Sequence, residues 1–452
     1  MKNTFCSTLV LALAVPWPAA RAEVPAPGDP FAGYAALLAQ VPASPDRAPA
    51  LTLDEVERTA LAVSPEIEVA ARRLAAIQAH VPIAGALDDP TVMYRGWAVP
   101  LEKPWDYNQA QNMFSISQTF QGAGKRALRT NMAELDVAQA KAELEQVRLE
   151  VRVKAHKAFD DLLRAQDELR IHDEHVGIAQ QAIAAARIQY TVGKVPQQDL
   201  LKAQVALTRL TEHMIRFEQD ADLARAELNT LLRRDPSSPL TVQGEYAVLA
   251  SLPALQQLEA TAVQARPDLA ALRDAAERSR KEQALAKKAY TPDFTLSGGY
   301  MLMAPGSNYR NNYMVEGSLN LPWLNRKRHD AEIAESTARA TTQDAELDAL
   351  RNAAFGQIQQ ALVQAKAAQR TAHLYHDELR PQAEATLESS VVAYENGKTE
   401  FLDLLDSQMT LIDIDLNWLQ AVADFDARVA DLELATGSGL NDQGTQTTEV
   451  KP

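Results

Sequence analysis

The stretch YTVGKVPQQDLLKAQ, Tyr190 to Gln204, returns as YENGKTEFLDLLDSQ, Tyr394 to Gln408, with tyrosine, Gly-Lys, Asp-Leu-Leu and glutamine in the same places. The echo extends well beyond this pair. Ser64-Pro65-Glu66 answers Arg266-Pro267-Asp268, Pro90 answers Pro292, and Lys125-Arg126 answers Lys327-Arg328, each 202 positions on. The opening stretch recurs 204 positions on, so about two residues are added between these landmarks. Spacing held over so long a span indicates duplication of a whole structural unit. Whatever one half folds into, the chain must contain two of them.

Each half follows one plan. A helix ends near Pro90 or Pro292, and two short alternating segments follow. In the first half Phe114, Ile116 and Phe120 alternate with Ser115, Ser117 and Thr119. In the second, Phe294, Leu296, Tyr300 and Leu302 alternate with Thr295, Ser297, Gly299 and Met301. Period two with one apolar face predicts strands. Very long helices are then predicted from about Lys125 to Tyr190 and from about Lys327 to Tyr394. In the first, Leu144, Val147, Val151, Ala155, Ala158, Leu162, Ala165 and Leu169 recur at steps of three and four, the seam of a coiled coil. Gly193 and Gly397 close these helices, glycine being cheap in the left-handed conformation that ends a helix, and a second helix returns from each turn. The chain has 18 Gly in 452 residues, which suits long helices.

The first 22 residues, MKNTFCSTLVLALAVPWPAARA, carry a lysine, an apolar run and Ala20-Arg21-Ala22 before Glu23, the layout of a secretory signal peptide. Removing it takes away Lys2, Arg21 and the sole cysteine, Cys6, and moves the formal charge from -15 to -17. Such acidity argues against a nucleic-acid partner. After the leader no apolar run reaches the length of a transmembrane helix, so the exported chain is either soluble or spans a membrane as strands. The expected organisation is a signal peptide at 1–22, a Pro/Ala-rich arm at 23–50 and a first repeat at 51–240, with strands about 90–120 and a helical hairpin about 124–233. An equatorial connector at 241–265 and a second repeat at 266–436 follow, the latter with strands about 292–321 and a helical hairpin about 326–436. A disordered tail at 437–452 completes the chain.

Four strands with one greasy face cannot close a membrane barrel alone, since such barrels need about eight or more. The missing strands must come from other copies: two chains would supply eight and three would supply twelve. Tyr94, Trp97, Trp105, Tyr107, Tyr300, Tyr309, Tyr313 and Trp323 gather near these strands, as in the interfacial girdles of an outer-membrane barrel. The alternative is a soluble protein whose strands pack on its own helices.

In this combination of duplication, strand pairs, long helices and the tips VGKVPQQD and NGKTEFLDLLD, the chain resembles the TolC family of outer-membrane efflux channels, most closely the CzcC-type heavy-metal members. The CzcC likeness rests on SISQTFQGAGKRALR and LNLPWLNRKRHDAEI. The resemblance implies a mainly α fold with a small β part. Two tandem repeats would each give a β-hairpin and a long α-helical hairpin. A homotrimer would form a 12-stranded outer-membrane β-barrel continued by a periplasmic α-helical barrel, with a collar built from the connector, the arm and the tail. It further implies a periplasmic adaptor and an inner-membrane pump of the RND type as partners. The protein would be the exit duct of a tripartite system exporting heavy-metal cations. A duct for drugs or for type I protein secretion shares the architecture. From another class, a periplasmic coiled-coil scaffold without a pore is the alternative.

By the same resemblance, Asp403 and Asp406 match aspartates that ring a pore constriction, where three copies would draw cations by field focusing. Ordinary solvated acids at a helix start are the alternative. Asp199 matches a gating aspartate and Tyr394 its tyrosine partner. The arginine that completes that latch falls at Thr399, with Lys398 or Lys194 as possible substitutes. Val192, Gly193, Lys194, Gly397 and Lys398 would touch the adaptor. Lys125, Arg126, Lys327 and Arg328 sit where strands become helices, a poor place for cations. Lipid phosphates would compensate them, or they are simply solvated. His172-Asp173-Glu174 recurs as His376-Asp377-Glu378. Neither copy is taken as a metal site, and no cofactor is expected. No His-Glu-x-x-His motif, nucleophile elbow or cysteine pair occurs, and QGAGKRA departs from a phosphate loop at Thr119 and Arg126, so no enzymatic activity is expected.

Overall fold

The structure, a computed structural model, describes residues 50–97, 99, 101–104, 111–193, 196–244, 246–249, 251–303, 310–396, 398–439 and 447–450. The expected signal peptide, residues 23–49 of the arm, Trp105, Tyr107, Tyr309, Lys194 and Gly397 lie outside the described residues.

The first half opens with β1 (Ala50–Leu51), α1 (Leu53–Val63) and α2 (Pro65–Ala84). Thr52 and Glu55 form a capping box at the start of α1, and Pro65 begins α2, where its missing N–H costs nothing. Strands β2 (Thr91–Trp97) and β3 (Gln111–Phe120) lead into α3 (Lys125–Thr191), which returns as α4 (Gln197–Leu231). Helix α3 runs 67 residues with no proline and a single glycine, Gly177, so it extends for about 100 Å. Its seam residues Leu144, Val151, Ala155, Ala158, Leu162 and Ala165 are all buried. It packs on α2 and α4.

The connector forms β4 (Thr241–Val242) and β5 (Tyr246–Leu249). The second half then repeats the plan with α5 (Leu255–Ala265), α6 (Pro267–Lys287), β6 (Phe294–Leu302), β7 (Asn311–Leu319) and α7 (Arg326–Leu374). A π turn at Tyr375–Leu379 joins α7 to α8 (Arg380–Glu395), and α9 (Phe401–Thr436) returns. The interruption lies just before Pro381, which cannot donate the backbone hydrogen bond that a regular helix needs there.

Sequence-distant strands share one antiparallel sheet in the order β2-β3-β6-β7. Its register aligns Tyr94 with Phe114, Phe114 with Tyr300, and Tyr300 with Tyr313, and it aligns Val92 with Ile116 in the same way. One face is therefore mostly apolar, carrying Val92, Tyr94, Phe114, Ile116, Leu296, Tyr313 and Val315 with Asn112 and Gln118 among them. The other carries Ser115, Ser117, Thr295, Ser297, Gly299 and Ser318 together with the larger Arg95, Trp97, Met113, Met301 and Glu316. The apolar face is open: Tyr313 is 89% exposed and Val315 82% exposed. Met113 and Ser115 on the small-residue face are buried, as on the inside of a curl. Gly299 permits the close approach there, since a Cβ at that position would lie 2.9 Å from the Phe114 carbonyl oxygen. Among the described residues, β2 and β7 each leave one edge unpaired.

The main core sits where the connector meets the middle of the long helices. Phe159, Leu162, Leu228, Leu240, Leu258, Leu419 and Phe425 form one buried cluster there. Strand β1, at the end of the arm, pairs parallel with β4. The tail differs from the disorder expected at 437–452: Thr447–Val450 form β8, antiparallel to β5. Composition hides this pairing because the hydrogen bonds come from a free edge about two hundred residues earlier in the chain.

Candidate functional site: the paired helical tips and the strand corners

Helix α3 ends at Thr191, and Gly193 takes a φ of +74°, the left-handed conformation that lets the chain turn into α4. Val192 and Gly193 are exposed at this turn, and Lys398 is exposed at the other. Tyr394, in the last turn of α8, packs its ring edge-on against Phe401, the first residue of α9, with centroids 5.7 Å apart. Ala186, Ala203 and Phe401 form a small buried cluster with Tyr394 beside it, so this tyrosine lies where the two hairpins meet. Its hydroxyl is buried without a hydrogen-bond partner. Burial pushes the phenol up, and the charge of Asp199 pushes it further the same way. The charge of Asp199 thus bears on Tyr394, whose hydroxyl makes no hydrogen bond.

Thr399 serves a different aspartate. Its hydroxyl donates to Asp403 Oδ2 at 2.5 Å, and the Glu400 backbone N–H donates to the same oxygen at 3.4 Å, which fixes the start of α9. Asp403 and Asp406 both remain exposed. Asp406 borders an apolar groove of about 460 Å³ between α4 and α9, lined by Leu201, Val205, Leu402, Leu405 and Met409.

The strand corners require a correction. Lys125 is buried, and its ammonium donates to Asp293 Oδ1 at 2.8 Å, while the Gly122 N–H donates to the same oxygen. Arg126 donates through Nε and Nη2 to the Gly85 carbonyl. The first doublet is compensated from inside the chain, and Lys125 is not free to reach a lipid phosphate. In the second doublet Arg328 pairs with Glu332 at 2.8 Å along its own helix, and Lys327 is exposed. Of the four residues of the expected lipid contact, Lys125 alone is buried, while Arg126, Lys327 and Arg328 keep exposed side chains.

The repeated histidines have diverged. His172 is fully buried, its Nε2–H donating to the Leu210 carbonyl at 2.8 Å, and burial lowers its pKa. Its counterpart His376 is exposed and pairs with Asp377 at 2.8 Å. Among the described residues no group of three His, Cys, Asp or Glu side chains is placed to hold a metal ion.

Sequence reasoning missed a half-buried charged cluster beside the core. His156 lies 3.4 Å from Glu57 and 3.5 Å from Asp160. Burial works against the imidazolium, but the contact with Glu57 and the charges of Asp160, Glu57 and Glu433 outweigh it and raise its pKa to about 9. Burial pushes Asp160 up, with the His156 cation pulling it back. Only the His156-Asp160 spacing of one helical turn was visible in the sequence, because Glu57 arrives from α1.

A duplicated strand hairpin and helical hairpin, with an apolar outer sheet face and acidic helical tips, is the architecture of TolC-like outer-membrane channels. Among the described residues no helix is long and apolar enough to cross a membrane. The chain belongs to the family described as outer membrane efflux protein, whose sequence profile matches it twice, over residues 57–232 and 258–438. It is 25% identical over 296 residues to the cobalt-zinc-cadmium resistance protein CzcC of Cupriavidus metallidurans, covering 66% of this chain and 70% of that protein. Nodulation protein T of Rhizobium leguminosarum is 24% identical, with 71% and 69% covered. The nickel-cobalt-cadmium resistance protein NccC of Alcaligenes xylosoxydans is 24% identical, with 66% and 68% covered. The fold is also that of the outer membrane protein VceC from Vibrio cholerae, with a TM-score of 0.69 at 18% identity over 86% of this chain and 96% of that one.

Proposed function

We propose that the chain is the outer-membrane exit duct of a tripartite efflux system for heavy-metal cations. Three copies complete a 12-stranded barrel, a periplasmic adaptor docks on the helical tips, and an RND-type inner-membrane pump supplies the energy. The observation that carries the reading is the sheet register: one mostly apolar face, an opposite face richer in small and polar residues, and, among the described residues, unpaired edges at β2 and β7. A lipid-facing wall lined by a polar pore needs that alternation, and its free edges need other strands. A soluble scaffold would leave Tyr313, Val315 and Phe114 in water without purpose. The metal cargo is supported by the likeness to CzcC and NccC. The duct is passive, and the chain needs no catalytic group.

Nodulation protein T matches as much of the chain as the two resistance proteins do, which keeps export of other cargo as a second reading. Tolerance of a strain lacking this protein separates the two. Sensitivity confined to zinc, cobalt, cadmium, copper or silver is the expected result. Sensitivity confined to detergents, dyes and antibiotics would move the duct to a multidrug system.

A further inference from the structure

The two helical hairpins meet at a second polar contact, well above the tips. His175 on α3, Arg380 at the start of α8, and Asp415 and Trp418 on α9 enclose a cavity of about 160 Å³. Asp415 stands between the hairpins. Its Oδ2 lies 3.6 Å from His175 Nε2, and its Oδ1 lies 3.1 Å from Arg380 Nε. The Arg380 guanidinium rests over the Trp418 ring, 5.4 Å from the centroid. Counted along the helices from Phe401 and Thr191, the cluster sits about 20–25 Å above the tips.

Two features distinguish it from a static ion pair. His175 Nδ1, Asp415 Oδ1 and Arg380 Nε are buried without an aligned hydrogen-bond partner, although the last two are within ion-pair distance. Charge attraction holds the contact while its hydrogen-bonding capacity goes unused, so water can replace it at little loss. Arg380 also sits on a pivot, because the π turn Tyr375–Leu379 precedes it and Pro381 follows. A widened turn beside a missing backbone donor lets α8 swing against α7 with few hydrogen bonds broken. On such a swing Glu384, 3.3 Å from Arg380 Nε on the same helix, keeps the cation paired.

We propose that Asp415 is the centre of a second latch, with Arg380 and His175 as its partners and the π turn as its pivot, which holds the two hairpins in the closed arrangement. The proposal rests on reading the tips as a gate. At the tips the Tyr394 hydroxyl makes no hydrogen bond, whereas Asp415 faces charged partners on both hairpins. Asp415 is a positioning residue and touches no cargo.

Single-channel recording of the full chain in planar bilayers tests this, comparing wild type with Asp415→Asn, Arg380→Gln and the double variant. Each single change is expected to raise the open fraction about threefold or more, and the double variant no further, because all remove one contact. Oligomeric mass and thermal stability, measured alongside, should stay near wild type, whereas a merely structural role would shift these and not the open fraction. If Asp415→Asn does not assemble, Arg380→Gln carries the test, its side chain being 32% exposed. A wild-type open fraction in the assembled variants overturns the latch. Asp403→Ala with Asp406→Ala serves as a control: if it alters conduction while the Asp415 and Arg380 variants do not, the tip gate stands and the latch falls. If none alters conduction, the gate reading falls with it.

Discussion

The Lys125 ammonium lies 2.8 Å from the Asp293 carboxylate, and the two residues belong to opposite halves of the duplicated chain. Lys125 opens α3 just after β3, and Asp293 immediately precedes β6, so the pair ties the two strand hairpins together at their helical end. The Gly122 N–H and the Asn320 side chain bond the same residue, through its carboxylate and its backbone N–H respectively. A cation at a helix N-terminus is tolerated here because an anion is built beside it.

Replacing Lys125 by methionine should therefore leave Asp293 half-buried and unpaired, destabilising the corner by roughly 2–4 kcal/mol. Thermal unfolding of the extracted protein measures this. Lys327→Met, whose side chain is exposed, should change the midpoint little.

His156 predicts an alkaline weakness. Its folded pKa is raised to about 9, so the stabilisation it provides is complete below its unfolded value near 6.5 and is lost as pH rises through 9. The raised Asp160 carboxyl acts in the same direction, its penalty growing as pH rises above its ordinary range. Unfolding midpoints should fall between about pH 7 and 9.5, and His156→Gln should flatten that slope. A wild-type slope in the variant would show that the cluster does not titrate there.

Gly193 adopts a φ of +74° at an exposed tip with open space around it. Gly193→Val should therefore strain the turn by about 1–2 kcal/mol through its backbone alone. Faster proteolysis at that tip, with strand and barrel regions unaffected, is the expected readout.

Asp403→Ala together with Asp406→Ala should reduce cation selectivity and block by divalent ions, because three copies remove six carboxylates from the axis of the proposed trimer. Reversal potentials across a salt gradient measure it. Unchanged selectivity would make these residues ordinary acids at a helix start, with Asp403 serving only the Thr399 cap.

What could be read from the sequence was periodic. The duplication, the strand alternation around Phe114 and Leu296, and the coiled-coil seam from Leu144 to Ala165 are repeating patterns, and such patterns survive without knowledge of tertiary contacts. What could not be read depends on distant partners. Asp293 is 168 positions from Lys125, Asp415 is 240 from His175, and β8 takes its hydrogen bonds from β5. At the tips the turn chemistry of Gly193 was legible, whereas Thr399 turning to Asp403 was a local hydrogen bond that residue types alone do not choose between. The identical-looking histidine triplets were the clearest trap. One is buried against the Leu210 carbonyl, while the other, beside Trp418, stays largely open to water.

The central claim, that this chain forms a membrane pore when copies close its open sheet edges, is tested most directly by adding the purified full-length protein to a planar bilayer. The account predicts discrete, cation-selective current steps from an oligomeric particle. A folded protein that yields no current and remains out of the membrane would contradict it.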